Sequence, residues 1–391
     1  VCAALREADV TRHRRSEYPT YLLLTMPKLP EPVNTYTIAD AIVKWWDKQA
    51  DEPRAHLGAS EIGKPCDRSL WFSFRWATKK QFSGQMKRLL NTGVREEARF
   101  LEELRGIGAE VYDRDPVTNL QHRFTAVDGH FGGSCDGVAR GLPEGPKSWA
   151  VVEFKTHSAK SFAELVKADV EQAKPEHYAQ MQVYMGLAEL DRALYLAVNK
   201  DDDTLYSEWI HFNKDEFARL MARAEKIIRA DEPPPGISTD PAWYQCKSCD
   251  HRDVCHGEIA AAKSCRTCVH ASPAPDALWQ CEAQKRSLSV AEQRIGCRAH
   301  LLLPPLVTYA EALDAGPDYI KYQHKDDGTI FANCTEDADK SEENMGTDIV
   351  ACLTSAELEH APRSLVTDKF TMEIRKEFNA RFVGGKTAGD V

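Results

Sequence analysis

The stretch GHFGGSCDGVARGLPEGPKSWAVVEFKT, residues 129–156, decides how the chain is read. Asp136 follows a run of small residues. Gly141, Pro143, Gly145 and Pro146 then punctuate a turn before Trp149-Ala-Val-Val-Glu153-Phe-Lys155. An apolar, β-branched run bounded by Gly and Pro predicts a buried strand, and the two flanks of the turn predict a hairpin. Side chains alternate faces along a strand, so Glu153 and Lys155 share one face and Val152 and Phe154 the other. A carboxylate and an ammonium on a mostly buried strand are costly to desolvate, and something must offset that cost. A second carboxylate, Asp136, arriving from the partner strand would make an oxygen-rich site suited to Mg²⁺, with the lysine beside it.

Outward from this hairpin, the flanks carry polar groups at spaced positions. Gln85 to Gly106 predicts a long helix with Gly108 just past its end. Leu90, Val94, Leu101 and Leu104 form its apolar stripe, and Glu97 falls in the stripe's widest gap, where a carboxylate needs a partner. Segments 109–112 and 120–126 read as strands leading into the hairpin, and 159–169 as a helix after it. Pro175, at a favoured first-turn position, opens the helix PEHYAQMQVYMGLAEL, on which His177, Gln180, Tyr184 and Leu187 share a face. Segments 193–199 and 204–212 predict a hairpin, and Asn213 with Glu216 a capping box for a helix ending near Arg229. Upstream, 37–50 has helical spacing, and a second helix opens near Asp67, with Cys66 at its start.

Asp136 followed by Glu153-x-Lys155 on consecutive strands resembles the PD-(D/E)XK nuclease superfamily. Asp136 matches the motif's first acid, Glu153 its second and Lys155 its lysine, although Ser134-Cys135 stands where the family often has proline. Gly93-x-x-x-Glu97 is similar to the helix that precedes the catalytic hairpin in lambda-exonuclease-like and RecB-like members. Gln180-x-x-x-Tyr184 is similar to the signature that follows it in RecB-type nucleases. The resemblance implies an α/β fold with a restriction-endonuclease-like mixed central sheet flanked by helices. It also implies a Mg²⁺- or Mn²⁺-dependent deoxyribonuclease. Asp136, Glu153, the carbonyl of Phe154 and Glu97 would hold the metal, Lys155 would orient or deprotonate the attacking water, and Gln180 and Tyr184 would position the strand. An exonuclease acting on DNA ends in recombination or repair is the first expectation, with DNA and a recombination or single-strand-binding protein as partners. A structure-specific or single-strand endonuclease and a non-catalytic DNA-binding assembly factor are the alternatives. The motifs suggest a bacteriophage or bacterial origin.

The twelve cysteines fall mostly into Cys-x2-Cys clusters, which favours metal ligation in a reducing cytoplasm over disulfides. Cys246-x2-Cys249-x5-Cys255 beyond the core, with Cys66 before it, resembles the AddB-type iron–sulfur nucleases. That pattern implies a structural [4Fe–4S] cluster, with tetrahedral zinc as the other chemistry four thiolates suit. Cys265-x2-Cys268, with the more distant Cys281 and Cys297, predicts a structural zinc; a second cluster or reduced buried thiols would use the same residues. Cys2, Cys135, Cys334 and Cys352 have no evident partner.

The net charge of −10 argues against a sequence-wide nucleic-acid coat, but charge is unevenly spread. From Lys64 to Arg105 there are ten Lys and Arg against five Asp and Glu, compatible with a phosphate-tracking groove. From Cys334 to Val391 the balance reverses, seven against twelve. No apolar run approaches the ~20 residues of a membrane helix, and the N-terminal stretch does not read as a secretory signal, so a cytoplasmic protein is expected. The expected layout is an arm or upstream translation over 1–25 and a nuclease domain over 26–230. A linker and cysteine segment over 231–256, a cysteine module over 257–303 and a small accessory region over 304–391 follow.

Overall fold

The computed structural model describes residues 36–339 and 346–383. The expected N-terminal arm over 1–25, with Cys2, lies outside them. The chain divides into a short unit ending at Ile42 and a large one from Val43 onward. Helix α1 (Ile38–Asp47) begins in the first and buries none of its side chains.

The quoted stretch forms the hairpin its pattern predicts. Strands β5 (Gly137–Arg140) and β6 (Ala150–His157) pair antiparallel. They belong to a five-stranded sheet in which β5 lies between β2 (Glu110–Tyr112) and β6. On the other side of β6 lie β7 (Arg192–Asn199) and then β8 (Leu205–His211). The β6–β7 pair is parallel, so the chain must cross over between them. It does so through α4 (Ala159–Ala173) and α5 (Pro175–Ala188). Helix α4 runs four residues past the expected end, with a break at Asp169, where φ is 65°.

Helices cover both faces of this sheet, which is why β6 reads as a near-continuous apolar run. On one face α3 (Gly84–Gly106) packs Phe100 and Leu104 against Val152 and Phe154, the two phenyl rings stacked at 5.1 Å. On the other, α5 and α6 (Lys214–Arg229) close over Val151, Ala193 and Tyr195. The α5 residues from Ala179 to Met185 are all buried. Helix α3 departs from its expected stripe. Leu90 and Val94 are 53% and 57% exposed, because only its C-terminal turns meet the sheet. Asn213 caps α6 as expected, but Glu216 turns to Arg219 instead of reciprocating.

Three smaller sheets complete the body. Strands β1 (Leu57–Gly58), β4 (Phe131–Ser134) and β3 (Arg123–Ala126) form the first. Its close approaches demand glycine: a Cβ on Gly132 would sit 2.0 Å from the Phe124 carbonyl oxygen, and one on Gly133 2.5 Å from Tyr184 Oη. The second is β9 (Ala271–Pro273), β10 (Trp279–Cys281) and β11 (Arg286–Leu288). The third runs in chain order through β12 (Ala310–Ala315), β13 (Tyr319–His324), β14 (Ile330–Cys334) and β15 (Ile349–Thr354). A turn through Asp327 and Gly328 joins β13 to β14. Cys334 and Cys352, for which the sequence offers no partner, form a disulfide between β14 and β15.

One apolar core joins the nuclease-like half to the cysteine-rich half. Trp71 and Phe74 of α2 (Asp67–Phe74) share it with Cys265, Trp279, Tyr322 and Phe331. The Pro-rich stretch after Asp231 is anchored to α2, with Arg68 Nε donating to the Pro234 carbonyl at 2.8 Å. At the centre of the junction Arg266 is fully buried. It donates to the carbonyls of Phe74 (3.0 Å) and Ala55 (2.9 Å) and to Gln293 Oε1 (3.0 Å), with its guanidinium 3.8 Å from the Trp76 ring centroid.

The packing makes stability sensitive to acid. Burial lowers the pKa of His56, His157, His251 and His300 to about 4, that of His177 to about 3, and that of His130 below the ordinary value. An unfolded histidine takes up its proton near pH 6.5, whereas these stay neutral until well below it. The unfolded state therefore binds more protons in that window, and stability falls as pH drops. Glu97, Asp136 and Glu153, whose values are raised, oppose the trend but are fewer. The thermal midpoint should decline steadily from pH 6.5 toward pH 4; a flat profile over that interval would contradict this packing.

Candidate active site

The hairpin and α3 bring four charged side chains into electrostatic reach of one another, two of them, Glu97 and Lys155, on the lining of one cleft. Asp136, in the bend between β4 and β5, accepts a hydrogen bond at Oδ2 from the Phe154 amide at 2.7 Å. Pairing of β6 with β5 stops at Val152, while pairing with β7 continues to His157, so the β6 edge beyond Val152 is open where Asp136 bends across it. Glu153 is buried on β6 and forms an ion pair through Oε1 with Lys155. Its Oε2 is buried without a hydrogen-bond partner. Glu97 reaches the same place from α3. It lines a cleft of about 420 Å³ together with Phe154, Lys155, His157, Lys174 and His177.

The electrostatics are those of crowded acids. Burial pushes the Glu153 carboxyl up to about 7 against the pull of Lys155, and Asp136 and Glu97 add to the rise. Burial also raises Asp136, although Lys155 and the Phe154 amide oppose it. Glu97 is raised by burial and then by Asp136. Burial works against the Lys155 ammonium, yet Glu153 and Asp136 carry its pKa above the ordinary value. Three carboxylates and one ammonium leave a deficit of positive charge. A neighbouring cation would relieve that repulsion and satisfy the orphaned oxygen.

The other expected site residues are also accounted for. Gln180 and Tyr184 lie on α5, with Gln180 Nε2 3.3 Å from Tyr184 Oη. Both are buried and neither lines the cleft, and burial followed by the Glu153 charge raises the tyrosine's pKa. Cys135, beside Asp136, is fully buried, and its thiol is pushed up to about 12 by burial.

Both cysteine sets are drawn together, and none of their thiols is disulfide-bonded. The Cys246 thiol is raised first by burial and then by Cys255, Cys66 and Cys249. Arg68 Nη1 lies 3.8 Å from Cys255 Sγ. Burial pushes Cys265 up to about 12, with further contributions from Cys268, Cys297 and Cys281. Among the described residues, however, no group of three or more His, Cys, Asp or Glu side chains stands in an arrangement ready to hold a metal ion.

The sequence matches the PD-(D/E)XK nuclease superfamily over residues 35–256, more than half of the chain. The chain belongs to that superfamily. Among solved structures it is similar to SSO0001, with 16% identity and a TM-score of 0.35 over 56% of this chain and 95% of that one. It is also similar to an alkaline exonuclease (LHK-Exo) from Laribacter hongkongensis, with 15% identity and a TM-score of 0.33 over 47% and 90% of the two chains. The same enzyme in complex with dAMP gives 15%, 0.32, 44% and 86%. No curated protein matches.

In this PD-(D/E)XK superfamily member two further residues stand beside the motif. His157 follows Glu153 and Lys155 at the same period of two, a signal that was legible. Tyr195 stands opposite Glu153 in the β6–β7 register, which only the strand pairing reveals. No helix among the described residues is long and apolar enough to cross a membrane.

Proposed function

We propose that the chain is a divalent-metal-dependent deoxyribonuclease whose active site is the cleft at the open edge of β6. The observation that carries this reading is the electrostatic coupling of Glu97, Asp136 and Glu153 to a single lysine, with one buried carboxylate oxygen unpaired. This donor set, all carboxylate oxygen, fits a hard cation such as Mg²⁺ or Mn²⁺. Glu97, Asp136 and Glu153 would hold it, together with the Phe154 carbonyl, which on an extended strand points the same way as the amide that Asp136 accepts from. When bound, such an ion polarises the phosphoryl oxygen and lowers the pKa of water.

The chain's own groups supply the rest. Lys155, kept protonated by its two acidic neighbours, donates toward the attacking water and offsets the charge that builds on the phosphorus oxygens. The aromatic stack of Phe100 on Phe154 keeps the inner end of the cleft dry. Gln180 and Tyr184, hydrogen-bonded to each other on α5, would position the DNA strand. Within nucleases, the Gly93-x-x-x-Glu97 and Gln180-x-x-x-Tyr184 helices favour an exonuclease working on DNA ends in recombination or repair. A purely scaffolding role is disfavoured because every acid and the lysine of the motif are present. The two thiol sets are proposed as structural metal sites: Cys66, Cys246, Cys249 and Cys255 for a [4Fe–4S] cluster, and Cys265, Cys268, Cys281 and Cys297 for zinc.

The deciding assay uses end-labelled linear DNA and circular DNA with Mg²⁺, Mn²⁺ or EDTA. Cleavage of the linear substrate alone, abolished by EDTA, is the expected result. Cutting of circles would replace the exonuclease with an endonuclease, and metal-independent cleavage would remove the proposed mechanism. Iron, sulfide and zinc content of the same anaerobically prepared protein tests the thiol sites.

A further inference from the structure

The cleft wall contains a chain of hydrogen bonds that the catalytic motif does not use. His177 Nδ1 lies 2.9 Å from Tyr195 Oη, and the two rings stack with centroids 5.8 Å apart. Tyr195 Oη also lies 2.8 Å from His157 Nε2, and His157 Nδ1 lies 3.0 Å from Ser161 Oγ. Tyr195 is fully buried behind the cleft, and His177, which is more open than the buried His157, lines it beside Lys155 and Lys174, with His157 and Ser161 also on the lining.

We propose that His177 touches the substrate, its Nε2 donating a hydrogen bond to a phosphate oxygen of the DNA strand in the cleft, while Tyr195 and His157 are positioning residues that fix its tautomer. The inference rests on the nuclease reading and adds a contact to it. A phenol carries one proton, so it cannot donate to both imidazoles; one ring accepts and the other must donate. The chain therefore has two arrangements. In the first, Ser161 donates to His157 Nδ1, His157 Nε2–H donates to Tyr195, and Tyr195 donates to His177 Nδ1. The remaining His177 proton then sits on Nε2. In the second every bond reverses, and Nε2 presents a lone pair. A phosphate oxygen can only accept, so a strand lying against Lys155 and Lys174 selects the first. No proton leaves the chain, and the ring works as a neutral donor whose direction the linked bonds fix once the strand has selected it. A buried Tyr195 hydroxyl would already be satisfied by His157 alone, so the second imidazole on the cleft wall has no need to be there for folding.

The test uses the full-length chain and duplex DNA. His177→Phe keeps the stacked ring but no donor, and should lower kcat/KM by about 10-fold or more, mainly through KM. His177→Gln places an amide donor near the Nε2 position and should recover most of the loss. Tyr195→Phe should fall between them. Should the Phe variant fail to fold, His177→Asn, which keeps only the nitrogen facing Tyr195, serves in its place. Histidine ¹⁵N NMR with a short duplex in EDTA should show His177 protonated at Nε2 in wild type and mixed between tautomers in Tyr195→Phe. A wild-type kcat/KM in the folded Phe or Asn variant, or a bound-state proton on Nδ1, would overturn the inference and leave the nuclease standing. A wild-type chain that cleaves no DNA with either metal would instead remove the underlying function.

Discussion

Asp136→Asn and Lys155→Ala should each slow DNA cleavage by about 10²–10⁴-fold while leaving the fold intact. The asparagine still offers an oxygen to the Phe154 amide, so the bend across β6 survives. What it loses is a charge that Glu153 and Glu97 both resist. Removing that repulsion should leave the thermal midpoint unchanged or slightly raised, the usual relation between a strained site and stability. Lys155→Ala strips Glu153 of its ion-pair partner. Burial already draws the Glu153 carboxyl toward the neutral form, so it can take a proton instead of unfolding the strand. Rates on linear DNA and melting curves on the same samples give the check. Full activity in either variant would remove the assignment, and loss of fold would make the residue structural.

Arg266→Ala should be the most destabilising single substitution outside the apolar core, at about 3–5 kcal/mol. Removing the side chain leaves two backbone carbonyls and Gln293 Oε1 without their donor. It also opens a hollow between Trp76, Trp279 and Phe74. Burial has already lowered the pKa of this arginine to about 9, with the neighbouring Arg75 adding to the strain, so the native state tolerates a cation there only because its donors are satisfied. Arg266→Lys keeps the charge but cannot serve three acceptors in different directions, and should do little better than alanine. Arg266→Met refills the volume without a charge and should recover part of the loss. Chemical denaturation midpoints compare the series. Because the residue ties the Cys265–Cys268 turn to α2, the same variants should also release the cysteine-rich half first, visible as earlier hydrogen exchange there. A Lys variant as stable as wild type would refute this account.

Much of the nuclease half was legible because its signals are local. The Gly and Pro turn after Arg140, the alternation from Val151 to Lys155, and the Pro175 helix start each depend on a few neighbouring residues, and each element formed where expected. The α3 stripe was misjudged at Leu90 and Val94 because helical spacing reports a potential face, not whether anything lies against it. The disulfide between Cys334 and Cys352 escaped notice for a related reason. Neither cysteine lies in a Cys-x2-Cys cluster, and only the parallel pairing of β14 with β15 brings those two together.

By itself the sequence determined which acids and which lysine share a strand face, their order along the chain, and the two sets of thiols. Those follow from the period of the β-strand and from residue type. Tertiary structure alone decided that Tyr195 stands between two histidines, that Glu153 keeps one oxygen unpaired, and that Arg266 joins the two halves. Each depends on groups tens to hundreds of residues apart meeting in a low-dielectric interior, where an unmet donor or acceptor is costly, and no local pattern records such a meeting.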